Sequence, residues 1–285
     1  MADVPFHNIL RSPRLFRFLV GPDKQEFFIH ASLVASQSKV LDSLVNGAMK
    51  EAEDGCTAWE NVSEDTFVRF GQYIYTGDYQ GAAPLTPPVV EGLDTAAADE
   101  DPLAENLEDL CVNTPRNETT KKKSKSSPIA VAEPSSCRTN ALLSTKATWS
   151  EFKSLRSYEC SGGCYSLPTD NDHYSIEYEE VFLSHARVHA LAEYYMIEPL
   201  AQLSLHKLHK ILCHFRLYRK RKRDIVALLT FCYEEDAYPQ LRDLVNAYAA
   251  CYFKDLWQNA EFRDFFASRA DFSLAITGNV VDRMN

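Results

Sequence analysis

No apolar run in this 285-residue chain reaches the roughly 18–20 residues that a membrane span requires. The opening stretch MADVPFHNILRS also lacks the charged-then-apolar layout of a secretory signal. Both absences predict an intracellular protein, in the nucleus, the cytoplasm or both, with no membrane partner. A regular cysteine framework is missing as well. Of the eight cysteines, Cys56, Cys111, Cys137, Cys213, Cys232 and Cys251 are scattered, so free thiols are expected. There is no Gly-rich phosphate loop, no G-x-S-x-G elbow and no acid pair in a catalytic frame. The residues therefore assign no catalytic or cofactor-binding role, and neither an enzyme, a cofactor nor a small-molecule substrate is expected. Excess positive charge is lacking too. The formal charge is −10, which argues against direct binding of nucleic acid by the chain as a whole.

What is present is enough apolar material, 45% of the residues, to bury a core. LFRFLV alternates, with Phe16, Phe18 and Val20 on one face; GPDK supplies turn residues, and EFFIH returns as the second strand of a hairpin. From Ser32 the apolar period changes. Leu33, Val34, Leu41, Leu44 and Val45 fit two short helices interrupted near Ser36–Ser38. TAWENV reads as a further short strand. Ser63 is placed to cap a helix that carries Phe67, Phe70 and Ile74 and that Gly77 would stop.

Composition then shifts. Over 81–173 the chain is rich in Pro, Ser, Thr, Ala and charge; Glu91 to Asp109 is acidic without a base, and KKKSK follows at Lys121–Lys125. Such a stretch buries too little apolar surface to offset its ordering entropy. It is expected to be a disordered insertion with a short helix about Trp149–Leu155, and deletion of about Ala83 to Asn171 is expected to leave a folded protein. Beyond it, Val181, Val188, Ala192 and Tyr195 share a helical face, and Pro199 suits the first turn of the next helix. DIVALLTFCY and LRDLVNAYAACYF read as amphipathic helices, and EFRDFF would open a last one. DFSLAI, alternating Phe272, Leu274 and Ile276, reads as a short strand.

Five stretches, in order, carry a family resemblance. FRFLVG is similar to the opening strand of the BTB/POZ domain, in the form common among fungal proteins. FFIHASLVASQS resembles that family's F-x-V-H-x-x-L-x-x-x-S corner, and LVNGAMKEA its L-x-G-x-[FM]-x-E segment. YIYTGDY resembles its Y-[TS]-G signature, and VHALAEYYMIEPLAQLSLHKL its late helix pair. The resemblance implies an α+β fold: a small three-stranded sheet flanked by a helical cluster, split between 13–80 and 174–215 around the insertion. An all-helical extension would occupy 216–285. It also implies a non-enzymatic adaptor, a substrate-recruiting subunit of a cullin ubiquitin ligase. The alternative is a nuclear regulator acting through transcriptional partners. Cullin-docking members carry a hydrophobic-x-Glu motif after the second helix; Met49, Lys50 and Glu51 stand there, and Tyr75 of YIYTGDY is a further partner-binding candidate. Two departures are visible. Leu15 stands where the family usually has an aspartate, which argues against a charged pocket at a domain interface. Val40 or Leu41 replaces an aromatic, which repacks the core. With few residues before Leu15 to exchange between protomers, any homodimer is expected to be weak.

The sharper site readings each have a plainer rival. His30 has no nucleophile, paired carboxylate or second ligand near it in sequence; it is read as structural, at the corner where the second strand enters the first helix. Cys160 and Cys164 with His173 have the spacing of zinc ligands, yet His185 or Cys137 would have to be recruited as the fourth. Reduced thiols in a Gly-rich loop are expected instead, and no metal. His185 and His189 lie at i, i+4 without the Glu of an H-E-x-x-H. With His206 and His209 they are read as interfacial packing. Two basic runs, Lys121, Lys122, Lys123 and Lys125, then Arg219, Lys220, Arg221, Lys222 and Arg223, are candidate nuclear import signals or phosphate contacts.

Overall fold

The computed structural model describes residues 14–86, 148–155, 173–234 and 238–282. Phe16, Phe18 and Val20 project to one side of strand β1 (Leu15–Val20) and are buried, while Leu15 and Arg17 on the other side are exposed. β1 pairs antiparallel with β2 (Gln25–His30), from Leu15↔His30 to Val20↔Gln25. The turn between them starts at Gly21, whose φ of +71° suits a residue without a Cβ. On its other edge β1 pairs in parallel with β3 (Cys56–Trp59), giving the sheet order β2-β1-β3.

A parallel neighbour needs a crossover, and three short helices supply it: α1 (Ala31–Ala35), α2 (Lys39–Asn46) and α3 (Lys50–Asp54). The break between the first two falls at Ser36–Ser38 as read from the sequence, and the Ser38 hydroxyl accepts the Leu41 N–H at 3.1 Å. The TAWENV strand is shorter than expected. It ends at Trp59, whose carbonyl accepts the N–H groups of Gly21 and Val62, so Glu60–Val62 turns toward α4 (Glu64–Thr76). Ser63 caps α4 through the Thr66 N–H at 3.3 Å, and Gly77 closes it at φ +76°.

Leu85 and Glu177 exchange backbone hydrogen bonds of 3.1 and 2.8 Å, so the chain leaves and re-enters this body side by side. The stretch between them is not all excursion. Residues 148–154 form α5, whose Trp149 and Phe152 are buried, stack on each other at 5.3 Å and meet Tyr252 and Tyr248 edge-on at 5.4 and 5.6 Å. His209 Nε2 donates to the Phe152 carbonyl at 2.8 Å. Deleting about Ala83 to Asn171 would remove these buried aromatics from the second core. Two aromatics at i, i+3 make an apolar face strong enough to seat one short helix despite polar surroundings. The disorder expected of 87–147 and 156–172 lies outside the described residues, as do Lys121–Lys125, Cys160 and Cys164.

Helices α6 (Glu179–Tyr194) and α7 (Glu198–His214, with Pro199 in its first turn) form a hairpin that passes through two apolar cores. Val188, Leu191 and Leu200 pack with Phe16, Phe18 and Phe67 of the sheet body. Phe182, Leu208 and Leu212 pack with the C-terminal helices. The cores therefore meet within α6 and α7, not at 215/216. After a 3-10 turn (Arg219–Arg221) come α8 (Lys222–Glu234), α9 (Pro239–Cys251), α10 (Phe253–Leu256), α11 (Ala260–Ser268) and α12 (Ala270–Asp282). The strand expected at DFSLAI is instead the start of α12. Phe272 and Ile276 are buried four residues apart on one helical face, and Leu274 between them is 77% exposed. A pattern apolar at i, i+2 and i+4 satisfies both periods at its ends, and packing decides. The architecture is mixed α+β with a small three-stranded sheet. No helix among the described residues is long and apolar enough to cross a membrane.

Candidate protein-docking site

α2 carries two apolar i, i+4 pairs side by side. Leu41 and Val45 are buried in the sheet body, and Val40 and Leu44 are left at its flank. The chain then runs through Gly47 into the extended residue Met49, which precedes the first turn of α3. Met49 is 63% exposed. Together with Lys39, Val40, Ser43, Leu44 and Tyr195 it lines a groove of about 420 Å³. Tyr195, at the C-terminal end of α6, lies flat on Trp59 with ring centroids 4.3 Å apart. Burial, with a smaller effect of Tyr194, pushes its phenol up, so it remains a neutral hydroxyl. The groove is thus an apolar seat with one phenol and one ammonium at its edges, suited to an apolar side chain from a partner.

The four partner-binding candidates are not brought together. Met49 lines the groove; exposed Lys50 and half-buried Glu51 follow it in the first turn of α3. Tyr75 belongs elsewhere. Its hydroxyl accepts the His30 N–H at 3.3 Å and shares a 2.8 Å hydrogen bond with His30 Nδ1. His30 accordingly sits at the strand-to-helix corner, tied to the Tyr75 side chain of α4 by both its ring and its backbone N–H. Sequence reasoning missed Val40, Leu44 and Tyr195 as groove walls. The doubled i, i+4 pair in α2 was the available signal, since one core needs only one such pair.

The other histidines are separately engaged. His185 is fully buried, shares a 2.7 Å hydrogen bond with the Tyr79 hydroxyl, and is pushed down to about 3 by burial, then by Lys207 and Arg69. His189 Nδ1 lies 3.2 Å from the Ala201 carbonyl and 3.3 Å from Ser204 Oγ, while His173 is 2.6 Å from Ser175 Oγ. Among the described residues, no group of three or more His, Cys, Asp or Glu is placed to hold a metal ion.

The second basic run is divided. Arg219 and Lys220 are exposed, with Lys220 over the Tyr174 ring at 4.6 Å. Arg221 is buried, 3.2 Å from Glu177 and 3.7 Å from Asp224. Lys222 is buried and donates to the Asp255 carbonyl at 2.5 Å, at the end of α10; burial lowers its pKa. Arg223 pairs with Glu177. Four of the five charges are thus engaged within the fold.

No protein-family model matches the chain, and no curated protein matches it. Fold and site together define an α+β body with a small sheet, presenting an apolar groove beside an exposed methionine.

Proposed function

We propose that the chain is a protein–protein interaction adaptor of the BTB type that docks a cullin scaffold through the Met49 groove and so recruits targets for ubiquitin transfer. The small sheet with its helical crossover and the late helix hairpin support this reading. One observation carries it: a large, adaptable apolar side chain stands 63% exposed at the lip of a groove walled by Val40, Leu44 and Tyr195. Glu51, in the next turn, is placed to fix register at the rim. Import through Arg219–Arg223, which the nuclear-regulator reading would use, has less support because Arg221 and Lys222 are buried.

Titration calorimetry against a purified cullin N-terminal region tests the reading. Met49→Asp places a carboxylate without a partner in an apolar contact, a cost of about 3–5 kcal/mol, or roughly two to four powers of ten in affinity. Glu51→Ala should cost less, since a rim charge is screened by water and salt. Melting curves of both variants should match the parent. If the parent does not bind, or Met49→Asp binds equally well, the ligase-adaptor reading fails and recruitment of transcriptional partners takes its place.

A further inference from the structure

α6 lines one side of the surface along its whole length: Glu179, Arg187, Ala190 and Tyr194 recur at helical spacing, with buried Leu183 at the floor between the first two. α8 faces it with Arg223, Val226, Thr230 and Glu234 at similar spacing. Two hollows of about 480 and 670 Å³ lie along these stripes and share Arg187, Phe231 and Glu234 in their walls, so they form one trough. The 16 residues of α6 make it about 24 Å long, at about 1.5 Å per residue. The smaller hollow is aromatic, with Tyr194, Tyr195, Phe231 and Tyr238 in the walls, and Tyr194 is 75% exposed.

The charges of the trough are unbalanced in one direction. Arg187 is held by Glu180 at 2.8 Å, and Arg223 by Glu177 and Asp224. Among the described residues, Glu179, Glu234 and Glu261 have no cationic partner. An acidic occupant would be repelled. A wholly apolar one would strip water from these carboxylates without replacing it. Lysine and arginine satisfy both parts, because their stems cover aromatic surface while their heads reach the carboxylates.

We propose that this trough docks an amphipathic helical segment of a partner protein, with its apolar face on Ala190, Tyr194 and Phe231 and its lysines or arginines on Glu179, Glu234 and Glu261. Two facing stripes at helical spacing accept the ridges of a third helix. The assignment goes beyond the Met49 groove and does not rest on it.

The test is a fluorescence-anisotropy titration of the full chain with a labelled synthetic helix of about 18 residues, long enough to span the trough. One version carries leucine on one face and lysine on the flanks; the other has glutamate in place of lysine. The lysine peptide should bind at least about tenfold more tightly, and Glu234→Lys with Glu261→Lys should abolish or invert that preference. Glu234→Gln with Glu261→Gln should reduce it, which guards against a folding defect in the charge reversal. Tyr194→Ala should weaken binding severalfold, and Met49→Asp should leave it unchanged. Glu53→Lys with Asp54→Lys, on α3 outside the trough, controls for the net charge. An equal loss there would mean diffuse attraction and would overturn the proposal. Equal affinity for the two peptides also overturns it. So does a gain in affinity when Lys121–Lys125 are changed to glutamate, since the chain's own basic run would then be the occupant.

Discussion

Asp224 is fully buried with Arg221 and Arg223 each 3.7 Å from its carboxylate, yet its carboxyl is pushed up to about 6. Loss of water outweighs the Tyr178 N–H and both guanidinium groups, which pull the other way. The folded state therefore holds the proton more tightly than the unfolded chain, whose value is near 3.8. Stability from this group is present below the unfolded value and is lost as pH rises from about 4 through about 6, a change of order 2–3 kcal/mol. Asparagine keeps the acceptor for Tyr178 and leaves Arg221 its contact with Glu177. Asp224→Asn should thus flatten the decline in melting temperature between pH 4 and pH 7 relative to the parent. Superimposable profiles would show that Asp224 keeps its charge throughout.

At the scale of the element, α5 is the part whose role composition conceals. Phe152 is 1% exposed and packs edge-on against Tyr248 and His209. Leu155, just past the helix, is half exposed. Phe152→Ala should destabilise by about 3–5 kcal/mol in urea titrations, and Leu155→Ala by less than about 0.5 kcal/mol. Equal small effects would mean that α5 is not part of the second core. α12 teaches the same lesson from the other side, since its first apolar residues alternate like a strand and only the seat beneath Phe272 and Ile276 makes them helical.

Across the whole molecule, the α6–α7 hairpin belongs to both cores, and polar ties reinforce the connection. Lys207 of α7 is buried, pairs with Asp78 and donates to the Tyr79 carbonyl just beyond α4, and His185 of α6 holds the Tyr79 hydroxyl. The described body should therefore unfold as one unit, with calorimetric and van't Hoff enthalpies in agreement. A fragment ending at Phe215 would expose Phe182, Leu205, Leu208 and Leu212, whose cover comes from the C-terminal helices. It should fail to melt cooperatively. A fragment with a sharp transition of its own would show that the two cores are separable.

The hairpin, the break at Ser36–Ser38, the Ser63 and Gly77 caps of α4 and Pro199 in α7 were all legible in the sequence. Each depends on side chains within a turn of the backbone they govern, so local spacing determines them. Met49 was singled out through its resemblance to a hydrophobic-x-Glu motif. The parallel pairing of β3, the groove walls around Met49 and the fate of the basic run were decided only in three dimensions. RKRKR looks like a solvated charge cluster until Glu177, some forty residues earlier, and the Asp255 carbonyl, more than thirty later, are brought to it. The same holds for Tyr195, which reaches the groove only because α6 packs its end on Trp59. Charge and apolarity are written in the sequence, but burial is a property of pairs, and these pairs are far apart along the chain.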